Sequence, residues 1–297
     1  MSIGDVFRES WRITTHCWKL WLLMLAVFLA FVPTLVLTGG ISGAATLLAQ
    51  DFPPIQTGIL PRIDSLSPFA WFLILSATLL LVMISAAVSW VFQAGAMRAS
   101  IMAADGSPIF LRSALGLGQR RFIHILKLSV VFGFVLAFLG LMPVLPDIFF
   151  RGSSVGSFLR GATQIGMLPF NTLLGLVVLL VLMSVALEDV TPERSFRRAW
   201  QVFRTGWWGF LFVMAAAVAL SVLPVILLVP LLLIGMIALV LETGWFLLLA
   251  AFLILAPLSL GVSLFTSVFT QVMYALIYRS SAQLLDRSSG QAIPQHR

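Results

Sequence analysis

The sequence predicts an all-α, polytopic membrane protein: six transmembrane helices as three quasi-repeated hairpins, each preceded by an amphipathic interfacial helix. Three observations carry that expectation. Hydrophobic residues make up 60% of the 297 positions and charged residues only 10%, with a mean hydropathy of +1.07; soluble domains hold roughly a quarter charged residues. A motif is written three times without gaps, each copy just ahead of a long apolar run: FRESWRITTHCWKLW from Phe7, LRSALGLGQRRFIHI from Leu111 and FRRAWQVFRTGWWGF from Phe196. Lys and Arg, finally, alternate in abundance between the connections that join the apolar runs.

The motif defines the surface helices, expected at 3–18, 108–121 and 192–205. Its second position is Arg8, Arg112 and Arg197, and large or apolar residues recur at steps of four, three and four. The stripes are Phe7, Trp11, Thr14, Trp18; Leu111, Leu115, Gly118, Phe122; and Phe196, Trp200, Phe203, Trp207. That period is helical, so each copy presents an apolar and a basic face, as expected of a helix lying on a membrane. Start signals precede each one: Ser2 with Asp5 at capping-box spacing, Ser107 with Pro108, and Thr191 with Pro192 and Glu193.

The spans follow. A bilayer core of about 30 Å needs roughly 20 helical residues, and the runs that satisfy it are 19–38, 69–94, 123–145, 167–188, 207–229 and 257–278. The first is longer than the h-region of a signal peptide, roughly 7–15 residues, so an uncleaved span is expected. Each even-numbered span is expected to open near a proline, Pro68, Pro169 or Pro257, a residue suited to a first helical turn. Residues 207–241 would measure about 52 Å as one helix, too long for one crossing, so Pro224 and Pro230 are expected to interrupt them. Pro257 should likewise divide 245–278. A seven-span alternative places a further crossing at 225–241 and sends the C-terminus outside. Basic residues oppose it. One side collects Arg8, Arg12, Lys19, Arg98, Arg112, Arg120, Arg121, Arg194, Arg197, Arg198, Arg204, Arg279, Arg287 and Arg297, 14 in all, and the other only Arg62, Arg151 and Arg160. Lys127 can snorkel inward. Both termini are therefore expected in the cytoplasm of a bacterial cell whose inner membrane holds the chain. One membrane domain, 1–297, is expected, with quasi-repeats at about 1–98, 105–190 and 191–280 and a flexible cytoplasmic tail at 281–297. Motif spacings of 104 and then 85 residues are too irregular for a solenoid.

Two sets of residues are candidates for function. The interfacial set is Arg8, Trp11, Arg12, Trp18, Arg112, Arg120, Arg121, Arg197, Arg198, Trp200, Arg204 and Trp207. They would form a basic ring with tryptophan anchors facing anionic lipid head groups, or serve only to orient and anchor the spans. The polar set repeats one spacing in two spans: Ser85, Ser89, Gln93 and Ser263, Ser267, Gln271, broadened by Thr266, Thr270, Tyr274 and Tyr278. It reads as helix-packing hydroxyls or as a polar path between repeats. Few charges enter the spans. Glu188 and Asp189 stand at the inner end of the fourth, within reach of Arg194, Arg197 or Arg198, and Glu242 is expected at the outer surface.

Other classes find little support. A charge of +7 sits in membrane-flanking connections rather than on an aromatic-basic platform, which opposes nucleic-acid binding. The lone Cys17 beside His16 lacks a third partner. No H-E-x-x-H, P-loop or G-x-S-x-G occurs, so no catalytic residue, metal or cofactor is expected.

The segment EDVTPERSFRRAWQVFRTGWWG at 188–209, the opening GDVFRESWRIT and the closing YALIYR of 274–279 resemble a bacterial six-span family. Its repeat unit also forms the membrane domain of some glycerophosphoryl diester phosphodiesterases. The phosphodiesterase domain and its metal-binding carboxylates are absent here, so that activity is not carried over. The resemblance implies a multi-pass inner-membrane protein, a partner or lipid-facing accessory. The expectation is a non-catalytic module organising lipid or a partner protein at the cytoplasmic leaflet. A transporter or lipid-translocating protein is the alternative, and an intramembrane enzyme comes third.

Overall fold

The computed structural model describes residues 2–30, 32–33, 68–142, 154–188, 190–240 and 245–288. Every element among them is an α-helix: α1 (Ile3–His16), α2 (Trp18–Ala30), α3 (Pro68–Ala104), α4 (Leu111–Arg120), α5 (Phe122–Leu141), α6 (Ser154–Leu187), α7 (Pro192–Val240) and α8 (Trp245–Ser288). Arg62, Arg151, Asp189, Glu242 and Arg297 lie outside the described residues.

The three surface helices form where the motif predicts, and each meets its following apolar helix at a break. Ser2 caps α1 in a full capping box: its hydroxyl accepts from the Asp5 N–H at 3.2 Å, and the Asp5 carboxylate accepts from the Ser2 N–H at 3.0 Å. The Ser2 hydroxyl, donating to Asp5 Oδ2 at 2.6 Å, and then the Ser2 N–H hold the Asp5 carboxyl below the usual carboxylate range. α1 stops at Cys17, where the backbone leaves helical geometry (φ −106°, ψ 76°), and α2 departs at 85°. Trp21 Nε1 donates to the Thr14 carbonyl at 2.8 Å and Lys19 Nζ to the Ile109 carbonyl at 2.7 Å, which braces that corner. α4 begins at Leu111 rather than 108 and breaks at Arg121 (φ −107°, ψ 13°). In α7, Gly206 is non-helical (φ −119°, ψ 23°), dividing a first stretch from the long apolar remainder.

The apolar helices run longer than expected. Pro68 opens α3, but Pro169 lies inside α6, Pro224 and Pro230 inside α7, and Pro257 inside α8. A helix-interior proline costs about 3 kcal/mol. Terminating the helix in hydrocarbon would strand several backbone groups at several kcal/mol each, so continuing is the lesser cost. α7 does not reverse at Pro224, where the seven-span alternative ends a crossing. α3 extends past 94 to Ala104 and ends in a Schellman motif: Gly106 at φ 68°, with Gly106 N–H bonded to Ala103 O and Ser107 N–H to Met102 O. Four helices are long and apolar enough to cross a bilayer, Ser76–Ala104, Gly161–Leu187, Pro192–Ile226 and Leu253–Ser288, and five if the bent pair α1–α2 is one crossing. The chain is therefore membrane-embedded with four to five such helices among the described residues; Phe122–Val135 is apolar but shorter.

The tail expected from 281 does not begin there. α8 continues to Ser288, with Ser281 and Ala282 buried and Asp286 ion-paired. The chain divides into two compact units, one of 1–25, 93–118 and 174–297, the other of 26–92 and 119–173, and the first draws on all three expected repeat segments.

In the first unit α7 and α8 form the main contact. A Cβ on Gly206 would sit 1.9 Å from Ser281 Oγ and 2.9 Å from its Cβ, and one on Gly209 would lie 3.1 Å from Ile277 Cγ2. These glycines permit the close approach. α1 lies on α8 through Phe7 against Phe269 (5.1 Å between ring centroids, edge to face) and Trp11 against Phe265 (5.4 Å). Gly95 of α3 faces Leu115 of α4, at 3.1 Å from a built Cβ. In the second unit Gly133 of α5 meets Met83 of α3, and Trp90 meets Phe132 edge-on at 6.0 Å.

Candidate functional site

Each surface helix divides its circumference into three arcs. Successive residues advance by about 100°, so the position three beyond the motif's first residue lies about 60° to one side of the aromatic stripe, and the arginine position about 100° to the other. The three-beyond position is Ser10, Ala114 and Ala199, at 0%, 1% and 4% exposure. Val6, Ile13 and Thr14 in α1, Gly118 in α4, and Ser195 and Val202 in α7 are buried with them. Small residues therefore dock these helices on the protein. Most large aromatics of the stripe keep an exposed face: Phe7, Trp11, Trp18, Phe122, Phe196, Trp200 and Trp207 are exposed, as is Trp208, stacked on Trp207 at 4.0 Å, whereas Phe203 is half-buried and Phe7 and Trp11 also touch α8. Beyond them Arg8, Arg112 and Arg197 are exposed. The order protein, aromatic, guanidinium is what a helix at the boundary between lipid and water requires. The docking row is not evident from sequence because Ser and Ala carry little hydropathy beside Phe and Trp.

The guanidinium groups do not form a uniform ring. Arg8, Arg112, Arg120, Arg197 and Arg204 are exposed, and Arg121 is half-buried. Arg12 pairs with Glu9 one turn away. Arg198, placed by sequence among the lipid-facing residues, belongs instead to an interior clamp. Its Nε donates to Glu188 at 2.5 Å and its terminal nitrogen to Asp286 at 2.7 Å, with all three side chains about one-fifth exposed. This ties the end of α6 to α7 and α8, and makes Arg198 the partner of Glu188. A second tie joins Arg279 to Asp105 at 2.6 Å.

The polar set comes together only in part. A cavity of about 290 Å³ in the first unit is lined by Gln93, Ser267 and Gln271 of the predicted six, with Thr266, Thr270 and Tyr274 beside them. Ser85 and Ser89 are buried but do not line it, and Ser263 is half-buried with its carbonyl accepting from Thr266. Gln271 Nε2 donates to the Gln93 carbonyl at 2.8 Å, joining α8 to α3. Met24, Leu179, Ala217 and Ser221 complete the wall. Ser221, a single hydroxyl in a long apolar run, had no spacing to mark it.

The Cys–His neighbours show no catalytic arrangement. His16 Nδ1 lies 2.9 Å from the Arg12 carbonyl, and partial burial pushes the Cys17 thiol up, away from thiolate. Among the described residues no group of three His, Cys, Asp or Glu could hold a metal ion. Comparison with protein families, with curated proteins and with solved structures returned no match for this chain.

Proposed function

We propose that this chain is a non-catalytic protein of the bacterial inner membrane that organises lipid, chiefly anionic head groups, at the cytoplasmic leaflet. In this reading the chain crosses six times as three hairpins, with both termini cytoplasmic. It belongs with the six-span proteins related to the phosphodiesterase membrane domain, and a second membrane protein shares the same surface. One observation carries the reading: on the surface helices small residues face the protein, while Phe, Trp and Arg stay exposed in that order. Each basic residue near an anionic leaflet attracts it by about 1 kcal/mol, roughly a fivefold local enrichment.

The test replaces Arg8, Arg112 and Arg197 with Gln together. The inner face then keeps 14 − 3 = 11 basic residues against three outside, so orientation is preserved. The folded variant should co-purify with markedly less anionic lipid than the wild type. Equal retention would leave these residues as anchors only.

The cavity favours a second reading, a transporter or lipid-translocating protein whose polar path runs between helices. In a Cys17→Ser background, Gln93→Cys, Ser267→Cys and Gln271→Cys should then react with aqueous thiol reagents from either side of the membrane. Uniform protection would count against a path.

A further inference from the structure

The walls of the cavity have a chemical polarity that neither reading uses. Thr266 Oγ1 donates to the Ser263 carbonyl at 3.0 Å, Thr270 Oγ1 to the Thr266 carbonyl at 2.7 Å, and Ser221 Oγ to the Val218 carbonyl at 2.7 Å. Each hydroxyl proton is engaged inside its own helix, leaving the oxygen lone pairs for the cavity. Gln271 sharpens the pattern. It is 5% exposed, its amide nitrogen is engaged with the Gln93 carbonyl, and its Oε1 is buried and accepts no hydrogen bond from the protein. Four of the seven polar side chains on the wall thus present acceptors.

Leaving a buried acceptor such as Gln271 Oε1 without a donor is costly, and with Thr266 buried, Thr270 half-buried and Ser221 exposed beside it the wall favours an occupant that donates. Charge narrows the class. No Asp, Glu, Lys, Arg or His lines the cavity. A cation entering would lose its hydration with no carboxylate to replace it, and an anion would face lone pairs. The volume, about 290 Å³, lies near the lower end of small-molecule sites, roughly 300–1,000 Å³, and suits a group between a triol and one sugar ring. We infer that the cavity binds a neutral polyhydroxyl group, carried on a lipid or free, through the acceptors of Gln271, Thr266, Thr270 and Ser221. This inference is independent of the surface helices: the Arg8, Arg112 and Arg197 replacement can fail or succeed without affecting it.

The test uses the full chain in phosphatidylcholine nanodiscs, carrying Cys17→Ser and Ser267→Cys as a reporter on the cavity wall. Monoglucosyl diacylglycerol doped into the bilayer, or glucose added to plain discs, should slow alkylation of the reporter in a saturable way. Phosphatidylcholine alone, whose head group has no donor, should not. Thr266→Val and Thr270→Val keep side-chain shape and remove one acceptor each, and each should weaken the protecting ligand about three- to tenfold. Protection by the glycolipid only assigns the group to a lipid, and protection by glucose alone assigns it to a soluble polyol. Protection by neither overturns the inference, as does equal protection of the valine variants. If one valine variant does not fold, the other and the reporter protein decide the question in the same way.

Discussion

Gly206→Ala offers a sharp test of how α7 seats on α8. The added methyl would lie 1.9 Å from Ser281 Oγ and 2.9 Å from Ser281 Cβ. Rotating the hydroxyl relieves the first contact and not the second, and Ser281 is itself 3% exposed, so the helices must separate. Overpacking of this kind costs about 1–3 kcal/mol. Gly206 also sits at a non-helical kink (φ −119°, ψ 23°), so the usual gain from Gly to Ala in a helix, about 1 kcal/mol, does not apply there. Two neighbours calibrate the effect. Gly209→Ala meets the flexible Ile277 side chain at 3.1 Å and should cost less than Gly206→Ala. Gly261→Ala meets nothing within 4 Å and should raise stability by up to about 1 kcal/mol. Unfolding in detergent titrations should rank the variants Gly261→Ala, wild type, Gly209→Ala, Gly206→Ala from most to least stable. Ser281→Gly should rescue Gly206→Ala, giving a favourable coupling in the double-mutant cycle. A Gly206→Ala variant as stable as Gly261→Ala, or no rescue, would refute the packing described here.

Three further outcomes follow from the same contacts. Arg198→Ala removes the cation shared by Glu188 and Asp286 and should cost about 2–4 kcal/mol, less than a fully buried pair, while the correctly folded fraction keeps its anionic lipid. For Asp5 the folded carboxyl titrates below its unfolded value, so its contribution is present above the ordinary carboxylate range and is lost as pH falls through the folded pKa. The protection of the Asp5 and Val6 amides, taken relative to their intrinsic exchange rates, should fall only in acid, and Asp5→Asn should abolish that dependence. Pro224→Ala restores an N–H to a helix that is already continuous, and should leave thermal stability unchanged or raised; a loss would mean that Pro224 ends a helix.

Local chemistry was well written in the sequence. The Ser2–Asp5 spacing announced its capping box, Pro68 and Pro192 opened their helices, and the repeated motif located all three surface helices. What misled was a rule drawn from water: Pro169 reads as a helix start and Pro224, Pro230 and Pro257 as breaks, yet in an apolar run the unsatisfied backbone of a break costs more than the proline. The interfacial surface was half legible. Trp11, Trp18, Trp200 and Trp207 keep exposed faces, although Trp11 also touches Phe265 of α8, while Ser10, Ala114 and Ala199 dock because they are small, a property hydropathy does not rank. Arg198 looked like its neighbour Arg197; only the return of α8 with Asp286, 88 positions on, distinguishes them. The cavity needed the same long-range information, since Ser221 has no partner in spacing and Gln93 meets Gln271 across 178 positions.

The measurement that bears most directly on lipid organisation needs no substitution. Reconstitute the protein in mixed bilayers in which either the anionic phosphatidylglycerol or the zwitterionic phosphatidylcholine is brominated, and record quenching of tryptophan fluorescence. Trp11, Trp18, Trp200, Trp207 and Trp208 are all exposed, and each lies on or just beyond a surface helix that carries Arg8 or Arg197. The brominated anionic lipid should therefore quench more strongly per mole at low salt. The excess should shrink toward zero near 1 M salt, where the Debye length falls to about 3 Å. Equal quenching by the two lipids at low salt would contradict a role for these helices in gathering anionic lipid.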